Sequence, residues 1–318
     1  NDPNGGKVNL ATAHRQPGST VKVITYSAAL ENGFTAASIL DDSPITFPNP
    51  GGTPYTPVNY DGRHYGRVPL RFALSNSLNI PAVKTLNQIG IPTMVTLAQN
   101  MGITSWTDPK NYGLSVTLGG AETTMLDMST VFGTLAYEGK RTDLNPILKI
   151  TDAKGSILEE KKGAYQPQVL SPAVTFIISD ILSDTQTRTA AFGPNSVLNI
   201  PGHTVSVKTG TSDNKRDNWT IGYTDSRVVT VWVGNNDNSP MSQTLASGIT
   251  GAAPIWNRIM SGLVQKTPEN KRLIPSDVVQ KSCLGRMEYF IKGTEGSASC
   301  TRAMQTRPTP LPLWRRFR

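Results

Sequence analysis

The sequence contains few of the residues that build metal or redox centres. Its 318 residues include two cysteines, Cys283 and Cys300, and three histidines, His14, His64 and His203. A structural zinc site needs four ligands, and these five residues are scattered without the spacing of such a site. We therefore predict no metal site and no cofactor. The two cysteines form either one disulfide or two free thiols.

Long hydrophobic runs are also missing. No apolar run approaches the roughly 18–20 residues of a membrane-spanning helix. The longest candidates, 173–182 and 228–233, predict a core helix and a buried strand. The chain has no signal peptide, does not begin with Met and starts in the turn-like segment 1–6. We expect a fragment whose targeting information is missing.

Acidic residues are fewer than basic ones. Lys and Arg number 31 against 23 Asp and Glu, a formal net charge of +8, and the isoelectric point is near 9.5. A basic surface favours anionic partners such as nucleic acid, acidic lipid or an anionic wall polymer. No zinc finger, helix-turn-helix or RNA-binding motif is present, so we predict no nucleic-acid partner.

Helical patterns come first along the chain and strand patterns later. Helices are predicted over 19–33, 68–88 with a break at 75–79, 92–101, 122–137, 172–182 and 252–263. Strands are predicted over 147–152, 156–159, 204–208, 219–223 and 228–233, and a Pro- and Gly-rich excursion over 41–66. Without a βαβ rhythm, this order predicts an α+β fold in which helices cover an antiparallel sheet. We predict one domain over 1–264, and a small appendage with a flexible basic tail over 265–318.

Ser19 and Lys22 lie one turn apart at the predicted start of the first helix. A hydroxyl at a helix N-terminus meets free N–H groups and the positive end of the helix dipole. An amine one turn away can take its proton if burial or a second cation lowers the lysine pKa. The pattern is typical of a Ser/Lys acyl-transfer centre, but it also fits a capping serine followed by a solvated lysine.

Two further segments carry polar groups suited to the same chemistry. Ser77-Leu78-Asn79 falls in the break between two predicted helices, where its side chains can project into a cleft. Lys208-Thr209-Gly210-Thr211 is predicted to close a strand over 204–207. Each segment also has an ordinary interpretation, as helix caps and as a strand-ending turn. Ser-x-x-Lys alone is weak, because 212–215 matches it within a polar loop.

Together and in this order, the three segments resemble the motifs of penicillin-binding proteins and related β-lactamases. Similarity to the transpeptidase domain of class A, bifunctional penicillin-binding proteins covers most of residues 8–262. It is carried by segments 15–22, 73–84, 118–120, 191–202 and 208–223. One departure is that Leu78 stands where the family motif Ser-Asp-Asn has Asp.

The resemblance implies a D,D-transpeptidase that cross-links peptidoglycan stem peptides ending in D-Ala-D-Ala and is acylated by β-lactams. Such a domain works on the extracytoplasmic face of the bacterial cell membrane. Family members carry strands of the central sheet, a glycosyltransferase domain and a membrane anchor before the serine motif. We expect these to be missing here, and any membrane contact to depend on that anchor. No prediction of the oligomeric state follows.

The roles of the matching residues follow from acyl transfer. Ser19 is the expected nucleophile, Lys22 the general base with Lys208 lowering its pKa, and Ser77 a proton relay.

The expected substrate contacts come from the same segments. Asn79 is expected to bind the substrate backbone, and Thr209 and Thr211 its terminal carboxylate. Gly210 is expected to let the substrate lie along the strand edge. The backbone N–H groups of Ser19 and Thr211 would form the oxyanion hole.

Two alternatives remain open at this point. A D,D-carboxypeptidase or a β-lactamase keeps the same three elements and differs in how fast water removes the acyl group. A non-catalytic module that only binds peptide belongs to a different class, and an exposed Lys22 remote from Ser19 would favour it.

Overall fold

The computed structural model describes residues 6–48, 52–161, 166–242, 247–266 and 272–300. The helices in these ranges are α1 (Lys22–Glu31), α2 (Leu70–Ser75), α3 (Asn79–Ile89), α4 (Ile91–Met101), α5 (Met125–Ala136), α6 (Pro172–Ser183), α7 (Thr189–Phe192) and α8 (Ala252–Val264). The strands are β1 (Ile39–Asp41), β2 (Arg67–Pro69), β3 (Lys149–Thr151), β4 (Ile157–Glu160), β5 (Ser206–Thr211), β6 (Asp217–Tyr223), β7 (Val228–Gly234), β8 (Val278–Cys283) and β9 (Arg286–Ile291). Within the described ranges, no helix has the length and apolar character needed to cross a membrane.

The main sheet has the order β5-β6-β7 among the described strands, and both pairings are antiparallel. Alternate side chains of a strand point to opposite faces. Trp219, Ile221 and Tyr223 of β6 therefore pack with the helical core that includes α1 and α6. Val207, Val229 and their neighbours face α8 instead. The predicted α+β class, with helices covering an antiparallel sheet, is confirmed. The expectation that further strands of this sheet are missing from the chain stays a prediction.

Helix α1 lies in the middle of the molecule. Every residue from Lys22 to Leu30 is buried, and α1 contacts α3, α4 and α6. A helix that is buried all round is expected inside a large domain. The sequence predicted an apolar stripe, so burial of the whole first turn, Lys22 included, is a new observation. It takes the lysine out of water.

Three predicted boundaries are wrong, and hydrogen bonding explains each. The sequence 208–211 does not follow a strand but lies inside β5, because its residues pair with 218–221 of β6. Residues 68 and 69, predicted as the start of a helix, belong to β2 and pair with β1. The second helix of the 68–88 region begins at Asn79, inside the predicted break, because its first N–H groups have an acceptor from outside the helix.

The segment after α8 contains a hairpin that the sequence analysis did not predict. Strands β8 and β9 pair around Leu284 and Gly285, and the disulfide Cys283–Cys300 ties the next segment to it. Buried Glu288 of β9 forms an ion pair with Arg71 of α2. The predicted flexible tail falls on 301–318, outside the described residues, and the division at 264/265 stays a prediction.

Candidate active site

Ser19 lies in a 3₁₀ turn, Gly18–Val21, that leads directly into α1. The backbone N–H of Lys22 donates to the carbonyl of Ser19, so the two residues stay one turn apart as predicted. The indole N–H of Trp219, which is fully buried, donates to the carbonyl of Gln16 at 2.9 Å. This bond holds the segment before the turn on β6, and it identifies Trp219 as a packing residue.

The turn packs against β5 through main-chain atoms. Gly18 has a φ of +55°, and a Cβ there would lie 2.7 Å from the backbone N of Thr211. On β5, a Cβ at Gly210 would collide with the carbonyl oxygen of Pro17 and lie 2.9 Å from Cγ2 of Thr20. Glycine at 210 is therefore required by the serine turn. This packing reason stands beside the expectation that Gly210 lets the substrate lie along the strand edge, which stays a prediction.

Lys22 is buried, and its ammonium group is held by the break between α2 and α3. Nζ donates to the carbonyl of Ser77 at 2.6 Å and to Oδ1 of Asn79 at 2.6 Å. It also lies 3.5 Å from Oγ of Ser77. Burial lowers the pKa of Lys22 well below its usual value, and the charge of Lys208 lowers this pKa further. A neutral amine at this position can accept a proton.

Ser77 occupies the break with φ +58°, a left-handed conformation that is uncommon for residues other than glycine. Buried Asn76 fixes this conformation. Its Nδ2 donates to the carbonyl of Thr187 at 2.9 Å, and its Oδ1 accepts from the N–H of Ala191 at 3.0 Å. Strained backbone of this kind persists where its surroundings impose it, as they do at functional sites.

Lys208 reaches the same hydroxyl from β5. Its Nζ donates to Oγ of Ser77 at 2.7 Å and to the carbonyl of Thr209 at 2.9 Å. Burial lowers the pKa of Lys208 to about 7. The hydroxyl of Ser77 therefore contacts both lysines, one from α1 and one from β5. The three segments picked out in the sequence meet here.

The outer edge of β5 faces the site. Antiparallel strands alternate residues that bond to the partner strand with residues whose N–H and C=O point away from it. The N–H of Ser212 donates to the carbonyl of Asp217 on the β6 side, so this alternation turns the N–H and C=O of Thr209 and Thr211 outward. The bond from Lys208 to the Thr209 carbonyl agrees with this direction.

A cavity of about 670 Å³ opens over these groups. Its lining includes Ser19, Ser77, Asn79 and the segment 209–215 of β5 and the following turn. The excursion 41–66 supplies another wall through residues 59–65. A volume of this size accommodates a short peptide or a drug-sized molecule. It places an open groove directly beside the Ser19 turn.

The second Ser-x-x-Lys sequence, 212–215, forms the turn after β5. The hydroxyl of Ser212 donates to the buried carboxylate of Asp217 at 2.8 Å and accepts from the N–H of Asp217. These bonds stabilise the end of the β5–β6 hairpin. Ser212 therefore has a structural role in the hairpin.

Two residues of the excursion were missed by the sequence analysis. Asn59 accepts from the N–H of Asn79 at 2.7 Å, and its own Nδ2 donates to the fully buried carboxylate of Asp42 at 2.8 Å. Both lie in a region without apolar periodicity, where sequence patterns give no contacts. No group of three or more His, Cys, Asp or Glu in the described part of the chain is arranged to hold a metal ion.

Comparison with known proteins extends the similarity beyond the motifs. The family model described as the penicillin binding protein transpeptidase domain matches residues 1–261. Penicillin-binding protein 1A of Neisseria lactamica is 32% identical over 291 residues, which cover 89% of this chain and 35% of that protein. The Aquifex aeolicus protein of the same name is 32% identical over 304 residues, 91% of this chain and 40% of that one. The chain thus spans well under half the length of these relatives.

Solved structures share the fold. Penicillin-Binding Protein 1A from Haemophilus influenzae superposes with a TM-score of 0.82 at 28% identity, over 91% of this chain and 50% of that one. PonA1 from Mycobacterium tuberculosis gives a TM-score of 0.73 at 24% identity, over 86% and 78%. A family model that matches four-fifths of the sequence, with relatives about a third identical, settles the relationship: this chain belongs to the family of penicillin-binding protein transpeptidase domains.

Proposed function

We propose that the chain is a serine D,D-transpeptidase domain that cross-links peptidoglycan stem peptides through an acyl-enzyme on Ser19. The observation that carries the proposal is the contact of two buried lysines, Lys22 and Lys208, with the single hydroxyl of Ser77. Burying cationic groups is costly. Such an arrangement is expected where proton transfer needs amines of lowered pKa.

In the acylation step, Oγ of Ser19 attacks the carbonyl carbon of the penultimate D-Ala while Lys22 takes the hydroxyl proton. The peptide C–N bond breaks and the terminal D-Ala leaves, its nitrogen receiving a proton through Ser77. In the second step the amine of another stem peptide attacks the ester. A new peptide bond forms and Ser19 recovers its proton.

Substrate binding uses the outer edge of β5. Protonated Lys208, together with the hydroxyls of Thr209 and Thr211, suits the terminal carboxylate of the stem peptide. The outward N–H and C=O groups of these threonines suit an extended peptide added as a strand. The N–H groups of Ser19 and Thr211 form the proposed oxyanion hole, each worth about 3–4 kcal/mol by analogy with other acyl-transfer enzymes.

Asn79 has a different proposed role from the one expected. Its Oδ1 accepts from Lys22 and its Nδ2 donates to the carbonyl of Val58. We assign it chiefly to holding Lys22, with contact to the substrate backbone as a secondary role.

β-Lactams are the proposed inhibitors, because they present a strained amide and a carboxylate to the same groups. PonA1 from Mycobacterium tuberculosis has been solved in complex with penicillin V, and penicillin-binding protein A from that organism as an imipenem acyl-enzyme. Both share the fold of this chain. Transfer of the reaction to Ser19 is part of the proposal.

The proposed location is the extracytoplasmic face of the bacterial cell membrane. The Cys283–Cys300 disulfide fits an oxidising compartment outside the cytoplasm. Stem peptides, the proposed substrate, are found there. Attachment to the membrane would depend on an anchor outside the present sequence.

A non-catalytic peptide-binding module is the weaker alternative. A module that only binds peptide gains nothing from a fully buried Lys22, whose desolvation opposes folding. A carboxypeptidase or β-lactamase would use the same acylation step, so the lifetime and fate of the acyl-enzyme distinguish them.

Intact-protein mass spectrometry after incubation with benzylpenicillin tests the proposal. We expect the wild-type chain to gain the mass of one whole antibiotic molecule, and Ser19→Ala to gain none. Ser212→Ala should keep the adduct, because the second Ser-x-x-Lys sequence is assigned to the hairpin. Absence of the adduct on folded wild-type protein would reject the acyl-enzyme. Rapid loss of the adduct would favour a β-lactamase.

A further inference from the structure

We propose that Asp42 and Asn59 form an internal support for the catalytic lysine, in which Asn59 positions Asn79 and Lys22 and the Asp42 carboxylate balances the charge of Lys22. This inference rests on the proposed function for the meaning of its rate measurements. Neither residue is assigned a substrate contact. Both act through Lys22, and we call the two residues the Asp42–Asn59 support.

Asn59 supplies the missing cap of α3. The residue at the cap position, Leu78, makes no side-chain hydrogen bond to the helix. Oδ1 of Asn59 accepts from the N–H of Asn79 at 2.7 Å and from that of Ile80 at 3.3 Å. An asparagine oxygen is among the preferred acceptors for such orphan N–H groups. Here it comes from about 20 residues earlier, so it fixes the helix start to the excursion.

That helix start is the part of the molecule that holds Lys22. Oδ1 of Asn79 accepts from Nζ of Lys22 at 2.6 Å, and Nδ2 of Asn79 donates to the carbonyl of Val58 at 2.7 Å. The side chain of Asn79 is thus bonded to Val58, and its backbone N–H to the next residue, Asn59. A displacement of Asn59 would move the acceptor of the lysine.

Asp42 in turn fixes Asn59. Nδ2 of Asn59 donates to both carboxylate oxygens of Asp42, at 2.8 and 2.9 Å, and also to the carbonyl of Arg63 at 2.8 Å. The N–H of Tyr65 donates to Oδ2 of Asp42 at 2.7 Å. Asp42 is fully buried and Asn59 is 4% exposed. The carboxylate is therefore bonded to neutral N–H groups, which orient Asn59 without removing the negative charge.

The charge of Asp42 acts on Lys22. Burial and Lys208 lower the pKa of Lys22, whereas Asp42 acts in the opposite direction. Burial raises the pKa of Asp42 itself, while its bonds from Asn59 and Tyr65 oppose that shift. The ionisable groups that face Asp42 or Lys22 are Tyr26 of α1, Asp61, His64 and Tyr65 of the excursion, and Lys208 of β5. Asp42 is itself fully buried, so its removal is expected to leave Lys22 without the negative charge that raises its pKa.

The two residues therefore have separable effects. Removing the Asp42 charge at constant size should lower the pKa of Lys22 and move the acidic limb of the acylation rate to lower pH. Removing the Asn59 amide should misplace the base and slow acylation even on the pH plateau, where the Lys22 amine is already neutral. A role limited to stability would do neither.

The experiment compares Asp42→Asn, Asp42→Glu and Asn59→Ala with two controls. Asp41→Asn is the matched control for charge, since Asp41 is the exposed neighbour that pairs with Lys84. Asn145→Ala, in the loop before β3, is the control for loss of an amide. Each folded variant is studied by NMR titration of ¹³Cε-labelled lysine, which reports the Lys22 pKa. Its acylation rate by a fluorescent penicillin is measured across pH.

We expect Asp42→Asn to shift the Lys22 titration and the acidic limb to lower pH, and Asp42→Glu to restore both in part. We expect Asn59→Ala to slow acylation at least tenfold on the pH plateau, a loss typical of a misplaced general base. The controls should match the wild type.

An unshifted Lys22 titration in folded Asp42→Asn, or a wild-type rate in Asn59→Ala, would overturn the proposal. If Asp42→Asn and Asn59→Ala both fail to fold, the pair serves stability alone and the proposal is again overturned. Absence of labelling in the wild type would instead reject the proposed function, and the titration would still test Asp42.

Discussion

Lys208 donates a 2.7 Å hydrogen bond to the hydroxyl of Ser77. This contact joins the break between α2 and α3 to strand β5. The serine lies in a strained break between two helices, and the lysine in a strand that pairs with β6. Lys208 also donates to the carbonyl of Thr209 within β5 at 2.9 Å, but its contact with Ser77 joins two different elements. The bond therefore depends on the tertiary fold, and it is sensitive to changes in either residue.

Replacing Lys208 by Met should abolish penicillin labelling yet stabilise the protein at neutral and acidic pH. The folded-state pKa is about 7, below the value near 10.4 of an unfolded lysine. Between these values the unfolded chain binds more protons, so the stability of the wild type rises with pH. Below pH 7 Lys208 is protonated in both states, and the full cost of burying its charge opposes folding. We expect Lys208→Met to gain about 2–4 kcal/mol at pH 6, less at pH 9, in urea unfolding.

The control for this variant is Lys154→Met, in the exposed turn of the β3–β4 hairpin. Its free energy of unfolding should change by less than about 0.5 kcal/mol at either pH. A Lys208→Met protein that is less stable than the wild type at pH 6 would contradict the assigned burial cost.

Two substitutions at Ser77 should separate its chemistry from its conformation. Ser77→Ala and Ser77→Gly both remove the hydroxyl, and each should slow acylation about 10²–10⁴-fold. Only Ser77→Gly relieves the left-handed strain at φ +58°, worth about 1 kcal/mol. We therefore expect Ser77→Gly to unfold at a higher denaturant concentration than Ser77→Ala. Equal midpoints would argue against backbone strain at this site.

Gly210→Ala should displace the Ser19 turn. The new methyl group would collide with the carbonyl oxygen of Pro17 and lie 3.2 Å from the backbone N of Thr20, so the turn would have to move. We expect loss of penicillin labelling together with destabilisation of about 2 kcal/mol or more. The control is Gly262→Ala in α8, where a Cβ meets nothing within 4 Å. That change should keep labelling and stabilise the helix by up to about 1 kcal/mol.

The buried ion pair between Arg71 and Glu288 should contribute more to the stability of the protein than the partly exposed ion pair of Arg286. Both side chains are 3% exposed, so Arg71→Met removes the buried cation from Glu288 and leaves it only the longer ion pair with Arg286 at 3.9 Å. We expect a loss of about 3–5 kcal/mol in chemical unfolding. Arg286→Met removes a cation that is 40% exposed in a pair with Asp184 and should cost less than about 1 kcal/mol. Similar losses for the two variants would contradict the difference in burial.

The sequence predicted most helices and the identity of the three motifs, because both are local. Helical periodicity located α4 and α6 within a residue or two. The break around Ser77 followed from the interrupted periodicity. Continuation of β5 through Thr209, Gly210 and Thr211 was missed, since Thr and Gly were taken as the end of a strand. Only pairing with β6 determines that the strand continues.

Other parts of the site are determined by contacts that are remote in the sequence. Asn59 caps a helix that begins 20 residues later, and its excursion has a turn-rich composition without periodicity. The disulfide could not be chosen over two free thiols from spacing alone. The β8–β9 hairpin did have a local signal, a two-residue turn at Leu284-Gly285 between alternating residues. It was overlooked because the surrounding segment is polar and rich in proline.

The packing of the Ser19 turn against main-chain atoms has a consequence for which substitutions this domain tolerates. Gly18 of the turn meets the main chain of Thr211 on one side and stands against Gly119 on the other. Main-chain atoms therefore hold the turn that carries Ser19, the proposed nucleophile. Under the proposed function, side chains elsewhere in the groove wall can be replaced without moving this hydroxyl, so ligand preference can change while acylation is retained.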